Sequence, residues 1–478
     1  MTVSHVTIQL VPGRERRDQG DCMRFDKFFN PESVAVVGAS RTFGKAGNVI
    51  VINLLNLGFK GRVYAVNPKA DTILGLKAYP DVSSLPEIVD VAVVATPSVY
   101  IPEIMKDIAS KGIKRVVIIS AGFAEGGEKG RLLQEEVLTI AKKSGIRVIG
   151  PNTTGIMSTE SMFCTSFIPI ESIPPGNVAF VAQTGLFLGV LLETILSEEH
   201  FGISRVAGLG NKMDVEDSEI LEYLAADEKT KVICFYVEGL KKGNARRFFE
   251  VARNVTKEKP VLLVKSGTTE EGSHAAASHT ASLSGNDQLF SAMCKQAGIV
   301  RLEDLEEMVE AAKAFVFQPL PKGRKMAVVH YTGAGCVMGA DSVIQEGLEL
   351  AELSEETLQN LRKITPEWHH LSNPVDLWPS IEKSGADTAF KTVVEGLVND
   401  ENVDGIVVAI GVMRGFPLKW PDMKQFYGRK PILTAVEGDR DKGYEVVKRL
   451  EEHEFPCYRS VQRAIRALSH MAEYSTKK

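Results

Sequence analysis

The stretch that decides the fold is residues 34–47, which read VAVVGASRTFGKAG. It joins an apolar run of strand length to a glycine-rich turn that begins at Gly38. Apolar runs of similar length recur along the chain, at residues 63–66, 89–94, 116–119, 178–181, 232–236, 261–264 and 325–330. Amphipathic, helix-like stretches lie between them. Strands that alternate with such helices form βαβ units, so the sequence predicts parallel sheets with right-handed crossovers.

The pattern divides into three blocks, and 478 residues are enough for about three domains. We predict an α/β protein with three parallel-sheet domains in tandem, over residues 25–158, 159–318 and 319–478. Residues 1–24 are polar and resemble a tail. We therefore expect either that translation begins at Met23 or that the residues before it are disordered.

The composition argues against several classes of function. The net charge is −5, so we expect no basic surface for nucleic acid. Six cysteines lie far apart without a CxxC pair, and we expect no zinc ribbon, no other metal site and no disulfide framework. The sequence has no run of 18 apolar residues and no charged-then-apolar signal segment at its start, so we expect a cytoplasmic protein that does not bind membranes.

The first block carries the pattern of a nucleotide site. Glycines in a turn between strand and helix let a phosphate approach backbone N–H groups at the positive end of the helix dipole. The candidate residues of this turn are Gly38, Ala39, Ser40 and Gly44. The turn lacks the GxG pair of a dinucleotide site, and Asn67 and Lys69 follow the second strand where such a site carries an acid. A lysine there fits a ribose phosphate, although the glycines could also serve only a tight turn.

Other candidate ligand residues follow later strands of the same block. Ligands of open parallel sheets bind at the carboxyl ends of the strands, and several such loops on one edge make a site. These residues are Thr96, Pro97, Ser120, Ala121 and Gly122.

Four segments of this block carry a family resemblance: residues 33–40, 67–69, 120–125 and 150–156. They resemble the CoA-binding domain of NDP-forming acyl-CoA synthetases, the superfamily of the succinyl-CoA synthetase α chain and the α subunit of ADP-forming acetate–CoA ligase. The resemblance runs from about Phe25 to the C-terminus. It implies a Rossmann-like CoA-binding domain followed by two flavodoxin-like domains. It also adds Asn152 to the CoA-binding residues and places Thr153 where the family has a cysteine.

The second block contains a candidate nucleophile, His279, within the small-residue segment GSHAAASHTASLSG at 272–285. Imidazole suits phosphoryl relay because it is mostly neutral and nucleophilic near pH 7. The segment resembles the phosphohistidine loop Ser-His-Thr-Gly-Ser-Leu-Ala-Gly of the ADP-forming ligases, from which it differs at Ala281 and Ser284. His274 is the rival in this segment, without the motif around it.

Two further motifs of the second block support the relay. Gln183, Thr184 and Gly185 end a strand and open a helix, so they could hold a phosphate. By resemblance, Glu238 is the acid that bonds one ring nitrogen of the phosphohistidine. An ordinary helix start and a solvated rim residue are the alternative interpretations.

Three other segments also resemble the ADP-forming ligases: residues 210–214, 332–335 and 373–377. The last two belong to the third block, where a structural or interface role is the favoured interpretation.

The resemblance implies the α subunit of an NDP-forming acid–thiol ligase. By this resemblance the enzyme interconverts acyl-CoA, ADP and phosphate with carboxylic acid, CoA and ATP, through acyl phosphate and phosphohistidine. No Walker A motif or ATP-grasp domain is present in the sequence, so ATP or ADP and Mg²⁺ are expected on a separate ATP-grasp β subunit, in an α2β2-type assembly. The alternatives are a non-catalytic CoA or acyl-CoA sensor on the same scaffold and a nicotinamide dehydrogenase. No motif names the acyl group.

Overall fold

The structure is a computed structural model that describes residues 25–183, 185, 189, 191–241, 243–274, 286–413 and 423–477. The chain folds into two compact units. The first comprises the chain up to Ser197 together with Gly202–Val255 and Lys265–Phe290. The second comprises Glu198–Phe201, Thr256–Val264 and Ser291–Lys478. No helix within the described residues is both long and apolar enough to cross a membrane.

The first sheet has seven strands in the order β3-β4-β2-β1-β5-β6-β7. Its strands are β1 (Ser33–Val37), β2 (Arg62–Val66), β3 (Thr72–Ile73), β4 (Leu76–Tyr79), β5 (Val91–Val94), β6 (Arg115–Ile118) and β7 (Arg147–Ile149). The helices between them are α1 (Ala46–Asn56), α2 (Ile101–Lys111) and α3 (Glu128–Ser144). All neighbours pair in parallel except the hairpin β3–β4, which is too short to leave a periodic signal in the sequence.

The winding of this sheet reverses at β1. The chain passes from β1 to β2 on one side and later returns to β5 on the other side. Such a reversal opens a crevice between the carboxyl ends of the two strands, where open α/β sheets bind ligands. We call this place, with its loops at residues 38–44 and 95–100, the first switch point.

A second sheet in the first unit has the strand order β12-β10-β11-β8-β9. Its strands are β8 (Ile156–Ser158), β9 (Phe163–Cys164), β10 (Pro175–Ala182), β11 (Ile203–Gly208) and β12 (Val232–Val237). The helices that follow β10, β11 and β12 are α4 (Leu192–Glu198), α5 (Asp217–Ala226) and α6 (Ala245–Val255). β8 is antiparallel to β11, so the expectation of wholly parallel domains was wrong at this edge.

β10 lies between β11 and β12, and both pair with it in parallel. The winding therefore reverses at β10 as it does at β1. We call the carboxyl ends of β10 and β12, with residues 183, 185 and 238–241, the second switch point.

The second unit contains the parallel pair β13–β14 and a third sheet of order β16-β15-β18-β19-β20, with β17 beside β15. Its strands are β13 (Val261–Lys265), β14 (Val300–Leu302), β15 (Lys325–His330), β16 (Glu349–Leu350), β17 (Val375–Asp376), β18 (Gly405–Val412), β19 (Ile432–Gly438) and β20 (Cys457–Tyr458). Further helices among the described residues are α7 (Asp287–Ala297), α8 (Leu305–Phe317), α9 (Gly333–Gln345), α10 (Glu355–Ile364), α11 (Trp378–Ser384), α12 (Ala386–Asn399), α13 (Arg440–Glu451) and α14 (Val461–Lys477).

Alternation along the central strands covers both faces of the third sheet. Val329 and its neighbour Val408 face one apolar cluster, and Val328 and Val407 face another. Only two residues separate β14 from α8. One of them, Asp304, caps α8 by accepting a hydrogen bond from the Glu307 N–H at 2.8 Å.

Candidate active site

The turn after β1 approaches its neighbours too closely for any side chain but hydrogen. Gly38 has a φ of +93°, and a Cβ there would lie 2.7 Å from the Ala95 carbonyl oxygen in the loop after β5. A Cβ on Gly47, near the start of α1, would lie 2.0 Å from the Gly38 carbonyl oxygen. The loops after β1 and β5 and the start of α1 therefore pack backbone against backbone, with no room for a side chain at Gly38 or Gly47. This arrangement fits close approach of a phosphate.

The loop after β2 is tied to the same turn. The Asn67 side-chain amide donates to the Ala39 carbonyl at 2.7 Å, and the Lys69 N–H donates to the Asn67 side-chain oxygen at 2.8 Å. Arg41 also reaches the Lys69 carbonyl, at 3.5 Å. Asn67 thus holds the backbone of the loop and leaves the Lys69 side chain exposed beside the turn.

The loops after β5 and β6 complete this edge. The Ser120 hydroxyl donates to the Thr96 carbonyl, and a Cβ on Gly122 would lie 2.8 Å from the Ser98 hydroxyl. The Thr96 Oγ1 atom is buried and has no hydrogen-bond partner among the described residues, so it fits a polar group of a bound ligand. The candidate residues of the first block therefore gather at one edge, with Pro97 exposed on its rim.

Glu125, a residue that the site prediction did not include, organises the loop after β6. It accepts hydrogen bonds from the N–H groups of Gly122 and Phe123, at 2.7 and 3.2 Å, and from the Asn211 side chain. Burial opposes its ionisation, but these hydrogen bonds outweigh burial and hold the pKa of Glu125 below its usual value. The carboxylate is therefore ionised at neutral pH.

The loop after β7 carries Asn152, with a φ of +58°, and Thr153. The Asn152 N–H donates to the Ser120 carbonyl at 2.9 Å. Thr153 is 4% exposed, donates to the Gly208 carbonyl at 2.7 Å and accepts from the Gly155 N–H at 3.0 Å. Its hydroxyl thus joins this loop to the end of β11, and the position makes a structural link without a thiol.

Gln183 and Glu238 meet at the second switch point. The Gln183 side-chain oxygen accepts from the N–H groups of Glu238 and Gly239, at 3.1 and 3.3 Å. Both Gln183 and Glu238 are almost fully buried, at 3% and 4% exposure. Burial raises the pKa of the neighbouring Tyr236, and the charge of Glu238 adds to that rise. Gly185 lies beside the loop after β7, since its Cβ would be 3.1 Å from the Thr154 methyl group.

The loop at 210–214 joins the two switch points. Asn211 bonds Glu125 beside the first, while the Lys212 ammonium donates to the Gly239 carbonyl at 2.8 Å beside the second. Asp214 fixes the far end of the loop through the Val148 N–H and the Arg147 guanidinium, both at 2.9 Å. The resemblance marked this loop but gave its residues no role. The signal available in the sequence was a lysine in a glycine-containing loop after a strand.

The main nucleophile candidate, His279, and Thr184 lie outside the described residues. Residues on either side of the segment that carries His279 lie close together. Lys265, at the end of β13, has its ammonium 3.7 Å from the carboxylate of Asp287 at the start of α7. The same ammonium donates to the Ser266 and Gly267 carbonyls at 3.0 and 3.1 Å. Described residues on both sides of this segment therefore contact one buried cation.

The motifs of the third block make contacts within their own unit. Thr332 caps α9 by accepting from the Gly335 N–H at 3.1 Å. Asn373 donates to the carbonyls of Met326 and Ala351, at 2.8 and 3.0 Å, and accepts from the Val328 N–H at 3.0 Å. These bonds serve the architecture of the third sheet.

Comparison with known proteins decides the family. Residues 32–159 match the family described as a CoA binding domain, and residues 175–315 match a succinyl-CoA ligase like flavodoxin domain. Over 474 residues the chain is 45% identical to "Acetate--CoA ligase [ADP-forming] II" of Archaeoglobus fulgidus, covering 98% of this chain and 70% of that protein. The chain belongs to the ADP-forming acetate–CoA ligase family.

Two other members of this ligase family support the assignment. The chain is 38% identical over 445 residues to "Acetate--CoA ligase [ADP-forming] II subunit alpha" of Pyrococcus furiosus, covering 91% of this chain and 94% of that one. It also matches the solved acetyl-coenzyme A synthetase 1 of Candidatus Korarchaeum cryptofilum, a complex with phosphate and ADP. That match has a TM-score of 0.87 and 32% identity, and covers 95% of this chain and 97% of the other.

The predicted fold class, family and ligase activity are confirmed by these matches. The alternatives of a non-catalytic sensor and a dehydrogenase find no support among them. The CoA-binding match includes the whole first switch point, which supports CoA as the ligand of the first sheet. Members of the ligase family named as α subunits imply a partner subunit.

Proposed function

We propose that this chain is the α subunit of an ADP-forming acid–thiol ligase and that it carries both the CoA site and the phosphorylated histidine. One observation supports this reading above the others. The loop at 210–214 connects the first switch point, through Asn211, to the second, through Lys212. The same loop therefore contacts both the place proposed for the thioester and the turn that carries Glu238, the acid proposed to orient the histidine.

In the proposed reaction, an oxygen of inorganic phosphate attacks the thioester carbonyl, and CoA leaves as its thiolate. The resulting acyl phosphate gives its phosphoryl group to a ring nitrogen of His279, and the carboxylate is released. The phosphoryl group then passes from His279 to ADP. Covalent relay of this kind divides one difficult transfer into easier steps.

Each part of the site has a role in this scheme. Gly38–Ser40, Gly44 and the other loops of the first switch point hold CoA, and the exposed Lys69 pairs with its 3′-phosphate. Gln183, Thr184 and Gly185 hold phosphate at the second switch point. Glu238 bonds one nitrogen of His279, which fixes its tautomer and leaves the other nitrogen nucleophilic.

The nucleotide half of the reaction is assigned to a partner. We propose an ATP-grasp β subunit that binds ADP and Mg²⁺, in a cytoplasmic α2β2 assembly. The Archaeoglobus relative, of which this chain spans 70%, is longer, and the Pyrococcus relative is called subunit alpha. Both facts fit a ligase whose two halves occur either fused or as separate chains.

Labelling with γ-³²P-ATP tests this proposal. With the partner present, label is expected on this chain, stable to base and labile to acid as a phosphoramidate is. His279→Ala should abolish it, whereas the matched control His274→Ala should keep it. Labelling of the isolated chain by ATP, or full ligase activity in His279→Ala, would contradict the assignment.

A further inference from the structure

We propose that Lys212, held in place by Asp217, is a positioning residue for Glu238 and thereby for the phosphorylated histidine. This inference rests on the proposed function, because it gives Lys212 a role only through the acid that orients His279. The observation behind it is a hydrogen bond from the buried Lys212 ammonium to the carbonyl of Gly239, the residue after Glu238.

Lys212 is buried, although burial of a charged side chain is energetically unfavourable. It is 3% exposed, and its backbone has a φ of +50°, in the left-handed region that residues with a side chain rarely adopt. Its ammonium lies 2.8 Å from Asp217 Oδ2 and 2.8 Å from the Gly239 carbonyl oxygen. Burial of a lysine and strain of its backbone at one residue indicate a position set by more than local preference.

Asp217 provides the counter-charge that makes this burial possible. It is 4% exposed and is the first residue of α5, where the helix dipole favours a carboxylate. The ammonium therefore makes one hydrogen bond to the Asp217 carboxylate and another to the Gly239 carbonyl. Hydrogen bonds from a charged donor are stronger and shorter than neutral ones.

The turn that carries Glu238 is consequently held from two directions. Gln183 accepts both N–H groups, of Glu238 and Gly239, and Lys212 donates to the Gly239 carbonyl. Three hydrogen bonds on two consecutive residues fix the backbone from which the Glu238 carboxylate extends. An acid that must bond one nitrogen of a histidine needs such support, since small displacements of catalytic groups cost large factors in rate.

The test measures phosphoryl transfer to His279 in single turnovers with acetyl-CoA and ³²P-phosphate, on the full chain. The paired variant Lys212→Met/Asp217→Asn removes both charges together, so no buried ion is left without a partner. We expect it to slow labelling by roughly 10- to 100-fold. The KM for acetyl-CoA should stay within about twofold of the wild-type value, because the first switch point is unchanged.

A double-mutant cycle shows whether Lys212 acts through Glu238. In a Glu238→Gln background, the Lys212 and Asp217 changes should alter labelling by less than about twofold, since the group they position is already lost. Lys313→Met is the control for the loss of a buried lysine, and its labelling rate is measured per folded molecule. It removes another buried lysine, paired with Glu199 and Glu451 within the second unit, and should leave the labelling rate unchanged.

The inference, but not the proposed function, would be overturned by wild-type labelling in the paired variant, or by a slowing that multiplies in full with that of Glu238→Gln. A paired variant that slows labelling no more than Lys313→Met does would also overturn it. If Glu238→Gln itself labels at the wild-type rate, the role of Glu238 in the proposed function fails, and this inference fails with it.

Discussion

The strand order reverses at both switch points of the first unit, but their candidate residues differ in solvent exposure. At the first, the candidate ligand residues are mostly exposed or half-buried, and their side chains bond the backbone of neighbouring loops. At the second, Gln183, Lys212 and Glu238 are each at most 4% exposed. The first arrangement suits a large ligand that enters from water and leaves again. The second suits one functional group that must stay in place while a reaction occurs beside it.

Because of this difference, we expect substitutions at the second switch point to reduce stability and substitutions at the first to reduce ligand affinity. Buried polar groups are costly when a partner is removed, because the remaining group cannot turn to water. Removal of an exposed group leaves no buried partner unsatisfied, so we expect it to weaken ligand binding without lowering stability.

The largest effect is expected at the second switch point. Gln183→Leu would leave the buried N–H groups of Glu238 and Gly239 without their acceptor, and each such group costs about 1–3 kcal/mol. We expect the free energy of unfolding to fall by about 2–6 kcal/mol, measured by denaturant titration. Equal stability of Gln183→Leu and the wild type would contradict the expectation that substitutions at the buried second switch point reduce stability.

A smaller loss of stability is expected at Thr153, the buried point in the loop after β7. Thr153→Val keeps the shape but leaves the Gly208 carbonyl and the Gly155 N–H without their bridge. Unfolding should require about 1–3 kcal/mol less free energy, because the loss of the acceptor for the Gly155 N–H dominates and a carbonyl with two lone pairs tolerates under-satisfaction better than an N–H does. Labelling of the folded protein should persist. Thr139→Val, at an exposed site on α3, is the control and should change stability by about 0.5 kcal/mol at most.

Lys69→Ala should change affinity but not stability. If its exposed ammonium pairs with the 3′-phosphate of CoA, the variant should bind CoA about tenfold more weakly, equivalent to about 1.4 kcal/mol. Binding of dephospho-CoA should not change, and calorimetry measures both. Lys60→Ala is the control, because Lys60 is also exposed but precedes β2 at the opposite edge of the sheet. Tighter binding of NAD than of CoA would contradict the assignment of the first switch point.

Thiol reagents should have no effect on turnover. All five described cysteines are buried, and burial raises the pKa of Cys164 and Cys336 to about 12. Only the thiolate reacts readily, and it becomes abundant only as the pH approaches such a pKa. With acetyl-CoA protecting the site, because its sulfur is not a free thiol, and with excess reagent removed before the assay, N-ethylmaleimide is expected to leave activity intact. Inactivation traced to one modified cysteine would show that a thiol serves the reaction.

Local patterns in the sequence were enough for much of the fold. Strand-length apolar runs predicted β1, β10 and β12, and the glycine-rich turn after β1 predicted a ligand-binding edge. The hairpin β3–β4 was missed because strands of two to four residues carry no period. The antiparallel β8 was missed for a similar reason, since a three-residue strand does not reveal the direction of its neighbour.

The sequence by itself determined which residue types follow which strands, because a strand and its next turn are neighbours along the chain. It therefore identified Gly38, Lys69, Gln183 and Glu238 as candidates. Only the tertiary structure decided that Lys212 meets Gly239 and that Asn211 meets Glu125. These contacts join residues 27 and 86 positions apart, so they depend on sheet order and on the burial of charge, which no local pattern contains.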